Sequence, residues 1–453
     1  MRKNTRKQMP IMNLNIDHPK AIELKLISEI LDEIPIIYDM ALQDLISDYT
    51  IETGANGMTA EQVVRAAILK QTEGFSYEEL AFHLLDSTTY RNFLKIGFVE
   101  KGFKRATLHQ NIKALSPDTL EAIHRIIVAY GQSEKIEIGR QSRIDCTVVC
   151  SNIHEPSDSS LLWDAVRVIT RKLKDLKEKY PDLNLNFSDH TKCAKRRSLG
   201  IMNAKNKKDR KKLYKKLLKT VEKVVNYATS SINAIANYEF QNEKQTYKLL
   251  NSADELKEIQ DLTCIVVDQT VRRVMQKEVV PASEKIVSIF ESHTDIIKKD
   301  RRDTYYGHKI CLSGGASNLI IDCFILEGNP ADTTLTEEML DRHEEIFGYY
   351  PLKVSLDGGF ASKDNLEIAK GKKIKDVCFA KKKGLKEEDM CRSHYVYKRL
   401  RNFRAGVEAG ISWLKRCFGL DRCTWKTFRS FKSYVWASVL SANLLTIARK
   451  QMA

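Results

Sequence analysis

The chain has 453 residues, 43% of them hydrophobic, which is enough for two to four domains with real cores. Lys and Arg number 74 against 59 Asp and Glu, a formal net charge of +15 that favours a polyanionic partner, nucleic acid ahead of membrane. No run of about 18 uncharged apolar residues occurs, so no transmembrane helix is expected.

The N-terminus, Met-Arg-Lys-Asn-Thr-Arg-Lys, has the charge of a signal sequence but no apolar stretch behind it, and a cytoplasmic location follows. The 10 cysteines lack a paired Cys-x-x-Cys pattern. Cys391-Arg-Ser-His394 has ligand-like spacing but no second half-site, so the cysteines read as small core residues.

In chain order, residues 18–48 read as helix interrupted at Pro35, with Ile22, Leu26, Ile30 and Leu31 on one stripe. Residues 58–130 read as a series of short helices. Thr59 caps one, Ser76 with Glu79 three residues later caps the next, and Thr107 precedes a third. Basic residues at a helix start suit a helix-turn-helix-like unit; a small all-α packing or dimerisation domain fits the same pattern.

A strand is expected over 139–153. A long helical stretch follows to about Glu284, with an intensely basic centre. Lys195, Arg196, Arg197, Lys211 and Lys212 belong to a cationic face beside an apolar stripe of Leu213, Leu217 and Leu218, and such a face suits phosphate-backbone contact. Strands are expected at Ile286–Phe290, Tyr306–Ser313 and Leu319–Glu327, then a helix at Leu335–Phe347 and a strand ending at Asp357. A short helix at Lys363–Lys370, a strand at Asp376–Ala380, a helix around Glu408 and a final helix near Phe428–Arg449 complete the chain. Basic linkers fall at Lys298–Arg302 and Lys381–Lys383. This order fits an α/β fold, a mixed sheet with helices on its faces.

Three acids carry the chemistry. Asp145 interrupts Ser-Arg-Ile-Asp-Cys-Thr-Val-Val-Cys (142–150), and Asp357 closes Leu-Lys-Val-Ser-Leu-Asp-Gly-Gly-Phe (352–360). Asp is disfavoured within strands and costly to bury unpaired, so two such residues ask for a shared divalent metal. Gly358 and Gly359 then let the backbone turn away and leave room for DNA. Glu408 shares one face of a basic helix with Arg401, Arg404 and Lys415. That arrangement serves a carboxylate facing metal among cations facing phosphates, or an exposed Arg404–Glu408 pair. Phosphoryl transfer by two metals needs hard oxygen ligands of this type. His308 and Lys309 either face such a site or pair with acidic neighbours. Trp413 and Trp425 are of the type that stacks on flipped or terminal bases, although Ile411 and Leu414 beside Trp413 favour core packing.

These motifs together resemble a family. Ile144-Asp-Cys-Thr-Val-Val with Asn152-Ile-His-Glu-Pro, Ser288-Ile-Phe-Glu-Ser-His-Thr-Asp-Ile-Ile297 and Tyr306-Gly-His-Lys309 are similar to blocks of bacterial insertion-sequence DDE transposases. Gly328-Asn-Pro-Ala-Asp332, Asp357-Gly-Gly-Phe-Ala-Ser362 and the Arg404–Lys415 block complete the set. The closest likeness is to the ISNCY group, related to InsH-type transposases, and Gly74-Phe-Ser-Tyr-Glu-Glu-Leu80 resembles their N-terminal domain.

The resemblance implies an RNase H-like catalytic domain (136–156 and 286–453), a helical N-terminal domain (1–135) for DNA-end binding or dimerisation, and a basic helical insertion (157–285). It assigns Asp145, Asp357 and Glu408 as catalytic and metal-binding, with two Mg²⁺ or Mn²⁺ ions. It implies that Lys415 contacts the transposon end; Arg401 and Arg404 on the same helix face, and Lys381 and Lys382 in the basic linker, are read from their positions as phosphate contacts. Transposon ends and target DNA are the implied partners of a homodimer or higher assembly associated with the bacterial nucleoid. A catalytically silent, domesticated relative that regulates by binding DNA is the alternative.

Overall fold

Seven helices precede the first strand in the computed structural model, which describes residues 4, 17–46, 57–97, 99–238, 243–299 and 303–452. Most of the basic N-terminal segment, residues 47 and 48 of the first helical stretch, and residues 300–302 of the basic linker lie outside the described residues. The helices are α1 (Pro19–Glu33), α2 (Ile36–Ile46), α3 (Ala60–Glu73), α4 (Tyr77–Asp86), α5 (Thr88–Phe93), α6 (Arg105–Ala114) and α7 (Pro117–Ser133). Local chemistry sets several of their starts. Thr59 with Gln62, and Ser76 with Glu79, form reciprocal capping boxes that satisfy otherwise orphaned N–H groups. Thr107 does not cap α6, because the helix begins at Arg105 and Lys104 occupies the cap position without a side-chain hydrogen bond. Gly102 fixes that entry: it passes so near the Leu84 carbonyl oxygen that a Cβ there would sit 3.0 Å away.

The chain divides into two compact units, residues 1–152 with 307–453 and residues 153–306. In the second unit, α8 (Asp158–Lys179), α9 (Thr191–Met202), α10 (Lys207–Ala236) and α11 (Glu243–Thr270) share an apolar core that includes Leu162, Ile169, Leu217 and Val221. Ser157 caps α8. The strand expected at Ile286–Phe290 does not form. Gln269 bonds both the N–H and the carbonyl of Ile286, and Ser288 Oγ accepts from the N–H groups of Phe290 and Glu291, folding the segment into turns. The strand lies further on, as β2 (Asp295–Lys299), and the chain then continues into β3 (Asp303–Gly314).

The first unit holds a mixed sheet in the order β4-β3-β1-β5-β6, where β1 is Gln141–Cys150, β4 Ile320–Ile325, β5 Lys353–Leu356 and β6 Asp376–Phe379. Strand β3 runs antiparallel to β1 and β4, while β1, β5 and β6 are parallel. Helices α12 (Thr336–Phe347) and α13 (Lys363–Gly371) pack on each other, α12 also against β4 and α13 against β6. After the short α14 (Glu387–Met390), the long α15 (His394–Cys417) lies across β1, β5 and β6.

The last helix, α16 (Phe428–Met452), is buried without a break from Ser433 to Leu445 and packs on α1, α3 and α7. Its polar groups are matched there: Gln71 donates to Ser438 Oγ at 2.8 Å, and Asn443 exchanges hydrogen bonds with the Ile320 backbone. The N-terminal helices and the end of the chain therefore share one hydrophobic core. Among the described residues, no helix is long and apolar enough to cross a membrane.

Candidate active site

Asp145 sits mid-strand in β1, opposite Leu312 of β3. The parallel register pairs Ile144 with Leu356, so the next step along each strand brings Asp145 and Asp357 side by side at the carboxyl end of β5. The edge where a parallel strand ends is where open α/β sheets place their ligands. Asp145 accepts a 2.7 Å hydrogen bond from the Cys146 N–H, and Asp357 one of 3.4 Å from the Gly359 N–H.

Two buried residues dock α15 over this edge. Arg143, two positions before Asp145 and hence on its face of the strand, donates to the Phe403 carbonyl at 3.2 Å and to Asn318 at 2.6 Å. Burial lowers the pKa of its guanidinium. Gly406 admits it: a Cβ there would meet Arg143 at 1.9 Å. Ser355, two positions before Asp357, donates to the Leu400 carbonyl at 3.0 Å. Neither Arg143 nor Ser355 stands out in the sequence by residue type, although their two-residue offset from each Asp is a usable sign.

Docked in this way, α15 brings Arg404 against all three acids. Its guanidinium lies 3.4 Å from Asp145, 3.1 Å from Asp357 and 2.6 Å from Glu408. The i,i+4 pair with Glu408 does form, but Arg404 also spans to both strand carboxylates. Among the described residues, no group of three or more His, Cys, Asp or Glu side chains stands close enough to hold a metal ion as arranged. The acids are gathered around the guanidinium instead. The set still fits a divalent cation in its chemistry: three carboxylates, all hard oxygen donors, already converging on one positive charge.

The glycine pair after Asp357 does not leave open room. A Cβ on Gly358 would meet the Lys381 side chain at 2.8 Å, and one on Gly359 would meet the Asp332 carboxylate at 2.3 Å. The protein's own side chains take the space, and the glycines are needed for that close approach. Lys309 is ion-paired to Asp332 and donates to the Pro330 carbonyl, so its partner is an acidic neighbour. His308 is buried in contact with Phe428 and Phe431 of the core.

The remaining cations stand apart from this cluster. Arg401 is exposed, and Lys415 lies 3.8 Å from Asp421. Lys382 pairs with Glu387, whose hydrogen bond raises the lysine's pKa; His394 and then Lys382 hold Glu387 low in turn. In the second unit Lys195, Arg196, Lys211 and Lys212 are exposed. Arg197 instead bonds the Lys216 carbonyl and Thr220 Oγ1, tying α9 to α10.

Residues 259–444 match the family described as Transposase DDE domain, and residues 13–114 match Transposase domain (DUF772). The first match contains Asp357, Arg404 and Glu408 but begins beyond Asp145, whose place in the site rests on the geometry above. No curated protein and no solved structure matches the chain. The DDE domain implies an RNase H-like fold, DNA as substrate and a general dependence on divalent metal ions. With both transposase domains in one chain, the protein belongs to the insertion-sequence DDE transposases, metal-dependent polynucleotidyl transferases and endonucleases.

Proposed function

We propose that Asp145, Asp357 and Glu408 form the catalytic trio and hold two divalent ions, Mg²⁺ or Mn²⁺, over a DNA phosphodiester. The observation that carries this reading is the meeting of the three carboxylates on the single guanidinium of Arg404. Ions held there would activate the attacking water or 3′-hydroxyl and stabilise the leaving oxygen. The protein's own part is positional. The β1 ladder and the Cys146 N–H fix Asp145, the Gly359 N–H steadies Asp357, and Arg143 and Ser355 hold the helix that bears Glu408.

In this reading the enzyme binds the terminal inverted repeats of its element, cleaves at their ends and joins the freed 3′-hydroxyl to target DNA. No covalent enzyme–DNA intermediate is needed. The helical segment 1–135 would bind ends or dimerise, since two ends have to be brought together in a dimer or larger assembly. Arg401, Arg404, Lys415, Lys381 and Lys382 would contact phosphates near the site, and the exposed cations of the basic insertion 157–285 would contact flanking backbone. An ISNCY-group element is the source this reading favours, with the protein acting in the bacterial cytoplasm on nucleoid DNA.

The test is cleavage and joining of labelled DNA carrying the element's ends with Mg²⁺, comparing wild type with Asp145→Asn, Asp357→Asn and Glu408→Gln. Loss in all three variants with DNA binding retained is the expected result. Tight, sequence-specific binding without cleavage by wild type would point to a regulator, and variants as active as wild type would mean other residues do the chemistry.

A further inference from the structure

Asp357 stands just past the end of its strand. The ladder between β1 and β5 stops at Leu356, and Asp357 caps the short helical turn Gly358–Phe360. The hydrogen bond it accepts from the Gly359 N–H is 3.4 Å, long for such a donor, so it cannot fix the carboxylate by itself. What holds the turn lies behind it.

Asp332 backs Gly359, so near that a Cβ there would meet its carboxylate oxygen at 2.3 Å. It opens a second turn, Asp332–Leu335, and ends the Gly328-Asn-Pro-Ala-Asp332 stretch, which supplies none of the three acids. Lys309 of β3, only 8% exposed, pairs with Asp332 and donates to the Pro330 carbonyl at 2.7 Å. Ion pairs taken out of water add little net stability; this one fixes where the Asp332 carboxylate sits. It also cancels the charge of a fourth acid that would otherwise repel Asp357.

Asn365 makes the other tie. Buried at 4% exposure, its side-chain amide donates to the Thr333 carbonyl at 2.8 Å and to the Phe360 carbonyl at 2.7 Å. One amide thus stitches the Asp332 turn to the Asp357 turn. Its own place is set by Ser362, which caps α13 and accepts from the Asn365 N–H at 3.0 Å.

We propose that Lys309, Asp332 and Asn365 are positioning residues for Asp357, bracing the Gly358–Phe360 turn so that its carboxylate keeps the orientation in which it meets Arg404 and would meet a divalent ion. The inference rests on the reading that places Asp357 in the catalytic trio. Groups that hold a metal-binding carboxylate typically change metal affinity or activity by about 10–100-fold when lost.

The experiment uses the full chain with Mn²⁺ as the probe, its binding followed by electron paramagnetic resonance of the free ion. Single-turnover cleavage of labelled element ends at saturating DNA is run beside it across a Mg²⁺ titration. Asn365→Asp keeps the size of the side chain but sets an acceptor against two carbonyls. It is expected to weaken Mn²⁺ binding about tenfold or more and to raise the Mg²⁺ needed for half-maximal cleavage, with affinity for DNA ends unchanged. Asp332→Ala would leave Lys309 buried alone and can unfold the chain, so Lys309→Met with Asp332→Asn removes both charges together. The paired variant is expected to weaken Mn²⁺ binding in the same direction. A merely structural role would lower the melting temperature in chelator and leave Mn²⁺ affinity and Mg²⁺ requirement as in wild type; that result in both variants would overturn the proposal. Asp357→Asn in the same assays keeps the two readings apart. If it loses Mn²⁺ binding and cleavage while the other variants match wild type, the brace alone is removed. If it binds Mn²⁺ and cuts as wild type does, Asp357 is not a ligand and both readings fall.

Discussion

Arg404→Ala removes the cation that touches all three carboxylates, and its effect follows from their exposure. Asp145 is 15% exposed, so its charged hydrogen bond is worth about 1.5–3 kcal/mol. Asp357 and Glu408, at 37% and 60%, are solvent-screened and add between about 0 and 1 kcal/mol each. Without metal the variant is therefore expected to lose about 2–4 kcal/mol, a drop of roughly 3–6 °C in melting temperature for a unit of this size. Divalent ions reverse the comparison. In wild type an ion competes with the guanidinium for the acids, whereas in the variant it meets an uncompensated trio. An ion at 100 times its Kd stabilises by about 2.7 kcal/mol, so Mg²⁺ or Mn²⁺ should raise the variant's melting temperature more than the wild type's and narrow the gap. The assay is thermal unfolding in chelator and then across a Mg²⁺ titration. A variant that melts like wild type in chelator, or gains no more from metal, would refute the role of Arg404 as the trio's internal counter-ion.

Three further outcomes are expected. Arg65 is fully buried and bonded to Glu61, Asp32, Ser28 and the Phe93 carbonyl, so Arg65→Ala should cost about 3 kcal/mol in urea unfolding. The value sits at the low end for a broken buried pair because Lys95 still faces both acids. His124 and His343 are held neutral by burial, each with its pKa lowered to about 4. A lowered folded-state pKa gives stability that is complete above about 6.5, the unfolded value, and is lost as pH falls toward 4, up to about 3 kcal/mol per histidine. Denaturant midpoints should fall across that window, and His124→Asn with His343→Asn should flatten the pH dependence. Gly406→Ala should displace Arg143 and loosen α15 over the sheet, reducing end cleavage about tenfold or more while DNA affinity stays near wild type; equal cleavage would show that Arg143 does not position the helix.

The elements that sequence placed well are those governed by short-range chemistry. The capping boxes at Thr59 and Ser76 need only residues three apart, and both form. The strand bearing Asp145 and the strand ending before Asp357 followed from their β-type runs. Errors fell where a distant or neighbouring group overrides local preference. Ile286–Phe290 has a strand's composition, but Gln269 and Ser288 claim its backbone groups. The surroundings of His308 were likewise set from afar, by the aromatic residues of α16.

Sequence by itself thus determined the basic charge and the principal helices and strands, because composition, periodicity and capping are local properties, and it singled out three acids that meet in the fold. Only the tertiary structure decided what those acids meet. Arg404 lies four residues from Glu408 yet reaches carboxylates 259 and 47 positions upstream, because the β1–β5 register sets the two Asp residues side by side and Arg143, passing Gly406, seats α15 above them. It likewise decided that the last helix completes the core of the first ones: α16 is apolar around much of its circumference, and the helices that cover it are more than 300 residues away in the chain. Periodicity can reveal that such a helix needs burial, but not which surface provides it.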